Sequence, residues 1–383
     1  MKKILFFLLV LPFIGVSQTV DEKIASLAND YLNGKPGALV IGIRKNGINK
    51  VYYFGETKEG NKTAPGNSSL FEIGELTEIL TTALYSELAF DNVIDADDPL
   101  QKHLPKGINA PQYLKVICEP LDKDVHFDRD GSNHMTITPY VCRPDQNSEP
   151  QPMLLCYLAN HTSGLPEMPD NVNSKSDDPF ATYTADDLYK FLKGYEIINK
   201  VEYSYKHSSL GMGVLAHIIE LKSGKTYNDF LNEKINQPLG LTSTYIYSIA
   251  DDSKLLSGYN NRGSEMKRLH YGALGGAKGV SSNLTDMMKL LEVNLLTEKS
   301  HLATLFDYNQ KGKALSNSQK DLALGWRTKN FSGNRMLYQK GKTNGFASYM
   351  SLIKNKGTGI VILSSVARDV DHLGEKILEE FLK

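Results

Sequence analysis

The stretch Phe71-Glu72-Ile73-Gly74-Glu75-Leu76-Thr77-Glu78 decides the fold, because it runs directly into an apolar helical pattern. The pattern predicts a helix from about Glu75 to Asp91. Its buried stripe consists of Ile79, Leu80, Ala83, Leu84 and Leu88. Glu75 and Glu78 lie at i and i+3, so they share one face at the helix start, where negative charge suits the helix dipole.

Strand patterns flank this helix at both ends of the chain. An apolar run at 38–43 and a return strand at about 50–54 are joined through Asn46-Gly47, a pair that favours a hairpin. Four more strands are predicted at 323–328, 335–339, 346–354 and 359–364. Helical spacing occurs at 20–33, 182–195, 209–222, 226–237, 284–297 and 369–382. The sequence predicts one α/β body whose sheet comes from both termini, with a mainly helical region and an irregular insertion at about 105–150 between them.

Composition limits the class of protein. The chain has 383 residues, of which 41% are hydrophobic and 23% are charged, as in an ordinary folded domain. Lys and Arg number 43 against 44 Asp and Glu. A nucleic-acid binder would show a basic surplus, so a nucleic-acid partner is not expected.

The N-terminus reads as a secretory signal peptide. Lys2 and Lys3 precede an apolar run at 4–16, and small residues then offer a cleavage site before Gln18. We expect a signal peptide at 1–17, a mature domain at 18–383 and a periplasmic or secreted location; an uncleaved anchor is the alternative. No later stretch is apolar enough for a membrane span.

Three cysteines, Cys118, Cys142 and Cys156, permit one disulfide. Cys156 lies in a helical pattern and reads as a packing residue, which favours a Cys118–Cys142 bridge. No metal-ligand spacing is present, and the segment Asp128-Arg129-Asp130-Gly131 fits a plain turn better than a calcium loop. We expect no cofactor and no metal.

Several phrases in the chain carry a family resemblance. Four stretches stand in the order of the motifs of one known family: Phe71-Glu72-Ile73-Gly74 with its helix, Asn160-His161-Thr162-Ser163-Gly164-Leu165-Pro166, Gln237-Pro238-Leu239-Gly240-Leu241 and Leu324-Gly325-Trp326. The sequence resembles the serine β-lactamase and penicillin-binding-protein family, above all its class C branch with D,D-peptidase and esterase relatives. The resemblance implies a β-lactamase/transpeptidase-like α/β fold with an antiparallel sheet flanked by helices.

The resemblance also implies acyl transfer through a serine ester, and the sequence departs from that chemistry at each motif. The Ser-x-x-Lys motif falls on Glu75 and Glu78. Tyr-x-Asn falls on His207-Ser208-Ser209, and Lys-Thr-Gly falls on Gln339-Lys340-Gly341. A glutamate that attacked a carbonyl would form an anhydride, and a second glutamate cannot supply the positive charge of the lysine.

The predicted function is therefore that of an exported, catalytically inactive relative that serves as a scaffold for a ligand, such as a cell-wall peptide, or for a protein partner. The alternative is an active hydrolase (peptidase, esterase or β-lactamase-like) with rearranged residues Glu75, Glu78 and His207. These three side chains also evoke a metal site, although no further ligand is apparent. A salt bridge from Glu75 or Glu78 to Lys340 is expected to fill the cleft.

Three other residues invite a functional reading. His161 is expected to belong to a structural turn, and Ser208 lacks a lysine at the spacing that a nucleophile needs. Trp326 is expected either to line the cleft or to pack in the core.

Overall fold

The computed structural model describes residues 19–120, 125–129, 133–137, 140–197, 201, 205–248, 255–296, 300–311 and 322–382. The predicted signal peptide lies outside these residues, as do Asp130 and Gly131 of the turn considered for calcium. Among the described residues, no helix is both long and apolar enough to cross a bilayer.

A six-stranded antiparallel sheet organises the described chain and confirms that both termini build it. Its strand order is β14-β15-β16-β17-β1-β2. The strands are β1 (Ala38–Lys45), β2 (Ile48–Gly55), β14 (Arg327–Phe331), β15 (Asn334–Lys342), β16 (Ala347–Ile353) and β17 (Thr358–Ser364). Register pairs such as Ile41 with Ile362 join the two ends of the chain.

Helices cover both faces of this sheet, which explains why its central strands are continuous apolar runs. Val40, Met350 and Val361 belong to the core that contains the helical region. Their neighbours Ile41 and Ile362 belong to a second core, packed against the terminal helices. The period of two therefore sends alternate residues of each strand into different cores.

The helices follow the predicted pattern with shifts of a few residues at their ends. They are α1 (Val20–Leu32), α2 (Thr77–Phe90), α3 (Leu155–Ala159), α4 (Ala185–Gly194), α5 (Ser209–Ser223), α6 (Tyr227–Leu231), α7 (Gln237–Leu239), α8 (Gly275–Lys278), α9 (Leu284–Leu295), α10 (His301–Lys311) and α11 (Asp371–Leu382). The helix predicted at 226–237 is interrupted by a π-helical turn at Asn232–Asn236. Helix α10 was not predicted from the sequence.

Helix α2 is the centre of the fold and positions the site. All of its residues from Thr77 to Leu88 are buried. It packs against α5, α8 and α10, while the short 3-10 turn Gly74–Leu76 before it lies against β15. The 3-10 turn therefore places Glu75 beside β15, and the first turn of α2 places Glu78 among packed elements.

The prediction that 105–150 is irregular was wrong, because the segment forms short strands. They are β4 (Gln112–Tyr113), β5 (Val116–Pro120), β6 (Val125–Arg129), β7 (Asn133–Ile137), β8 (Tyr140–Pro144) and β9 (Gln151–Pro152). Strand β5 pairs with β8, and β6 with β7, in an extended hairpin. Cys118 and Cys142 face each other across it and form the predicted disulfide, while Cys156 is buried and is not part of a disulfide. Proline and aspartate had concealed the strand pattern.

Two small sheets and one late strand complete the architecture. A three-stranded sheet has the order β10 (Tyr245–Ile246), β13 (Val280–Ser282) and β3 (Phe71–Glu72). Strand β11 (Gly258–Tyr259) pairs with β12 (Glu265–Met266). The strand predicted at 323–328 starts only at Arg327, since a turn with positive φ at Gly325 precedes it.

Candidate active site

Glu78 lies at the centre of a buried hydrogen-bond cluster at the start of α2. Its side chain has no exposed surface. Oε1 accepts from Nε2 of His207 at 2.9 Å, and Oε2 accepts from Nε2 of Gln339 at 2.7 Å and from Nε2 of His161 at 3.2 Å. Burial alone would raise the pKa of Glu78, but the two imidazoles outweigh it and lower the pKa to about 2. The carboxylate is therefore ionised, with its acceptor sites taken by protein donors.

His207 lies between two carboxylates. Its Nε2 faces Glu78, and its Nδ1 faces Oε2 of Glu167 at 2.6 Å. Burial would lower the pKa of His207, yet the two acids raise it to about 10. Both ring nitrogens donate in the imidazolium form, so His207 is a fixed cation and holds no lone pair with which to accept a proton.

His161 takes part in this cluster, which corrects the purely structural role predicted for it. Its main chain does serve the turn, because its φ is 60° and its carbonyl accepts from the N–H of Lys206. Its Nδ1 also accepts from the N–H of Ser208 at 3.2 Å, while its Nε2 reaches Glu78. The fixed Nδ1 acceptor makes Nε2 the protonated nitrogen.

Glu75 forms a different ion pair from the one predicted. Its Oε1 lies 2.8 Å from Nζ of Lys278, a residue of α8, and both side chains are 13% exposed. Its Oε2 accepts from the backbone N–H of Lys342 at 2.7 Å. Burial would lower the pKa of Lys278, but the Glu75 carboxylate raises it overall.

The predicted salt bridge to Lys340 is wrong. Lys340 pairs with Asp371 at 2.7 Å, on the side of the sheet edge that faces α11. The neighbouring Lys342 pairs with Asp369 at 3.1 Å. Side chains at alternate positions of β15 are thus held by the aspartates that precede and start α11, and Lys278 serves Glu75 instead.

Two glycines bring the backbones of the helix start and of β15 into contact. A Cβ on Gly341 would lie 2.1 Å from the carbonyl oxygen of Ile73 and 2.8 Å from the backbone nitrogen of Glu75. Gly74 adopts a φ of 52°, and a Cβ there would meet the backbone nitrogen of Lys342 at 2.7 Å. Only glycine permits this approach, which keeps the N–H of Lys342 directed at the Glu75 side chain.

A small cavity of about 260 Å³ opens beside these groups. It is lined by Glu75, His207, Arg327, Lys340, Gly341, Lys342, Ser348, Asp369 and Val370. Arg327 stands over the ring of Tyr205 at 5.8 Å, and among the described residues no carboxylate pairs with its guanidinium. Lys340, Lys342 and His207 of this wall pair with carboxylates, so Arg327 is the cation there whose charge no acid of the described chain neutralises.

Tyr205 is a site residue that the sequence analysis missed. Its ring packs edge-on against His161 at 5.6 Å. Burial raises the pKa of its phenol, and its hydroxyl is buried with no hydrogen-bond partner in the described part of the chain. Tyr205-Lys206-His207 keeps the first residue of a Tyr-x-Asn pattern, and that spacing was the signal available.

The remaining candidates have structural partners. Ser208 caps α5, accepting from the N–H of Gly211 and donating to the carbonyl of Pro166. Ser209 donates to Glu167 at 2.8 Å. Trp326 is 3% exposed and packs in the core. Ser208 donates to a backbone carbonyl, which cannot take its proton. Ser209 donates to a carboxylate that His207 stabilises in its charged form, which lowers the pKa of Glu167 below its ordinary value despite burial and makes it a weak base.

The cluster of Glu78, His161 and His207 has the composition of a metal site, with its ligand atoms within 4.8 Å of one another. The direction of the hydrogen bond at Nδ1 of His161 does not fit a metal site. A ligating histidine donates through its second ring nitrogen, whereas Nδ1 of His161 accepts from the Ser208 N–H. Metal binding through Nε2 would require an imidazolate, so these residues suit a charge network better than a metal.

At the start of α2, the first residues of the helix, the glycine-containing end of β15 and the loop residues His161 and His207 converge on one cleft. The sequence matches the family described as Beta-lactamase over residues 21–379. The chain belongs to this family.

Individual relatives agree with that assignment. The chain is 24% identical over 349 residues to the D-alanyl-D-alanine-carboxypeptidase/endopeptidase AmpH of Escherichia coli, covering 87% of this chain and 80% of the relative. It is 26% identical to a β-lactamase of the same organism, covering 82% and 81%.

Solved structures show the same fold. A β-lactamase/D-alanine carboxypeptidase from Yersinia pestis complexed with citrate superposes with a TM-score of 0.70 at 22% identity, covering 94% of this chain and 99% of that one. A class C β-lactamase from Rhodobacter sphaeroides gives 0.72 at 19% identity, with the same coverage.

Proposed function

We propose that this chain is an exported, catalytically inactive member of the family whose cleft binds an anionic ligand. The observation that carries the proposal is Glu75, which stands where the resemblance places the serine and whose carboxylate is held by Lys278 and by the N–H of Lys342. Export rests on the signal-peptide pattern at 1–17.

Serine acyl transfer needs a hydroxyl and a nearby group that takes its proton. The start of α2 offers two carboxylates instead, and both are engaged by donors. Glu78 accepts three hydrogen bonds, and His207 is held protonated between two acids. Within the described residues, nothing at the helix start combines a nucleophile with a base.

We also propose that Tyr205, rather than His207, stands at the tyrosine position of the second motif. His207 then takes the asparagine position. This register pairs two substitutions, since the glutamate in place of the motif lysine meets a histidinium in place of the asparagine. Glu78 puts a negative charge where the motif has the positive lysine, and the histidinium of His207 supplies a positive charge beside it.

The alternative, a rearranged hydrolase that uses Glu75, Glu78 and His207, requires an acid–base pair below an open, substrate-sized space. Glu78 is fully buried, and Glu75 is in a salt bridge. The cavity beside Glu75, about 260 Å³, is smaller than the roughly 300–1,000 Å³ of typical ligand pockets. These features favour the non-catalytic reading.

The chemistry of the proposed ligand follows from Arg327, whose guanidinium lines the cavity without a carboxylate partner in the described chain. A guanidinium binds a carboxylate through two parallel hydrogen bonds. AmpH is named for D-alanyl-D-alanine peptides, which end in a carboxylate. We therefore propose a short cell-wall peptide with a free C-terminus as ligand, with one end of the peptide in the cavity.

Intact mass after incubation with a reactive penicillin tests the loss of chemistry. The native protein should show no adduct. A companion carrying Glu75→Ser, Glu78→Lys, His207→Asn, Gln339→Lys and Lys340→Thr should show one if the scaffold is intact. An adduct on the native protein would refute the proposal, because it would require a nucleophile that this geometry lacks.

Calorimetric titration with a D-alanyl-D-alanine peptide tests the ligand. Binding should weaken at least tenfold in Arg327→Gln. The control is Lys354→Gln, which removes a cation bonded to Asp307 and Gln310 outside the cavity. Equal binding by the two variants would exclude Arg327 as the recognition residue, and no binding by the native protein would exclude the ligand class.

A further inference from the structure

We propose that Glu75 is an internal ligand of a carboxylate-binding site, and that an external monocarboxylate enters this site only when the Glu75 side chain leaves it. The inference rests on the proposed function, because it assumes that Glu75 is not a catalytic group. It goes further because it assigns a second anion site in the same cleft, formed by Lys278 and the N–H of Lys342 and distinct from Arg327. In the native protein, the Glu75 side chain occupies this site.

The donors around Glu75 form the pattern that recognises a carboxylate. One oxygen receives a backbone N–H, from Lys342 at 2.7 Å, and the other receives the ammonium of Lys278 at 2.8 Å. Charge-assisted bonds of this length are among the stronger ones in proteins. Each carboxylate oxygen has its own donor.

These donors do not depend on Glu75 for their position. Lys342 belongs to β15, where it pairs in register with Ala347 of β16. The close contact at Gly74 and Gly341 holds that strand against the helix start. Lys278 ends α8, which packs on α2 and α5, and it also lies 3.8 Å from Glu167. Truncating Glu75 would therefore leave a preformed anion site.

The cavity provides the route by which a ligand reaches the site and Glu75 leaves it. Glu75 lines the space together with Arg327. A carboxylate released from Lys278 can thus turn toward a guanidinium that lacks an acid. This exchange would make the native cleft respond to carboxylates weakly, since each incoming ligand competes with a tethered one at high effective concentration.

Thermal unfolding in sodium acetate tests the proposal, with sodium chloride at equal ionic strength as the reference. Glu75→Ala empties the site, whereas Glu75→Gln keeps its volume and removes the charge. At an acetate concentration ten times its Kd, the ratio of folded to unfolded Glu75→Ala should rise about 11-fold. Native protein should show at most a small fraction of this gain, because Glu75 competes for the site, and Glu75→Gln should show none.

Adding Lys278→Met to Glu75→Ala should abolish the acetate effect, because one of the two donors is lost. If Glu75→Ala does not fold, Glu75→Ser provides a second emptied site. A folded emptied variant that ignores acetate, or a native protein that responds equally, overturns the inference. Neither outcome produces a penicillin adduct on the native protein, so failure here is distinguishable from failure of the proposed function.

Discussion

Replacing His207 with glutamine should remove most of the dependence of stability on pH between about pH 6 and about pH 10. The imidazolium bridges Glu78 and Glu167 through both ring nitrogens. Glutamine is neutral and can still donate one hydrogen bond, so the variant removes the charge while retaining a polar side chain. His207 is 17% exposed, which limits solvent screening of the pair.

The sign and size follow from linkage. Folding raises the pKa of His207 from its ordinary 6.5 to about 10. Its contribution is therefore complete below pH 6.5 and is lost as pH rises through about 10. A rise of this size corresponds to on the order of 4 kcal/mol. Glu78, whose pKa falls from 4.5 to about 2, loses its contribution on the acid side; the two share one ion pair, which is counted once.

Urea unfolding followed by fluorescence of Trp326, the single tryptophan, measures the effect at a series of pH values. The native protein should lose roughly 4 kcal/mol more than His207→Gln between about pH 6 and about pH 10. The difference between the two proteins cancels other titrating groups. Parallel curves would show that His207 is not held as a cation and would refute the charge network.

Three further outcomes are expected. Gly341→Ala should destabilise the protein by about 3 kcal/mol or more in urea unfolding, because its Cβ would meet a carbonyl oxygen at 2.1 Å, whereas Gly194→Ala, with open space around its Cβ, should change stability by less than about 1 kcal/mol. Tyr205→Phe should leave stability unchanged or raise it by up to about 1 kcal/mol in the same assay, because it removes a buried hydroxyl without a protein partner. Reducing the Cys118–Cys142 bridge should increase protease cleavage of the hairpin on gels without changing tryptophan fluorescence, since that bridge spans a separation of 24 residues within the insertion.

Periodicity and turn residues predicted most of the scaffold. The apolar stripe of α2 and the Asn46-Gly47 turn act within a few residues, so sequence alone reveals them. The prediction for 105–150 failed because the strands there are at most five residues long, and their pairing depends on a partner strand that is distant in the sequence. Helix α10 was missed although Leu302, Leu305 and Phe306 lie at helical spacing on its buried face.

The sequence predicted which residues form the candidate site, but it did not predict which of their side chains form ion pairs. Motif spacing identified Glu75, Glu78 and His207. The partner of Glu75 turned out to be Lys278, which lies on α8 about two hundred residues away. Lys340 lies within the third family motif and was the expected partner, yet the alternation of side chains along β15 turns it toward Asp371. Such choices depend on tertiary placement, which a motif does not encode.

The joining of β1 to β17 sets the order in which the chain can mature. Ile41 pairs with Ile362, so nearly the whole polypeptide must be made before the central strand finds its neighbour. Loop closure over such a distance is slow. A nascent chain that lacks its last strands therefore cannot complete this sheet, and the export that we propose for the chain would act on that unfinished form.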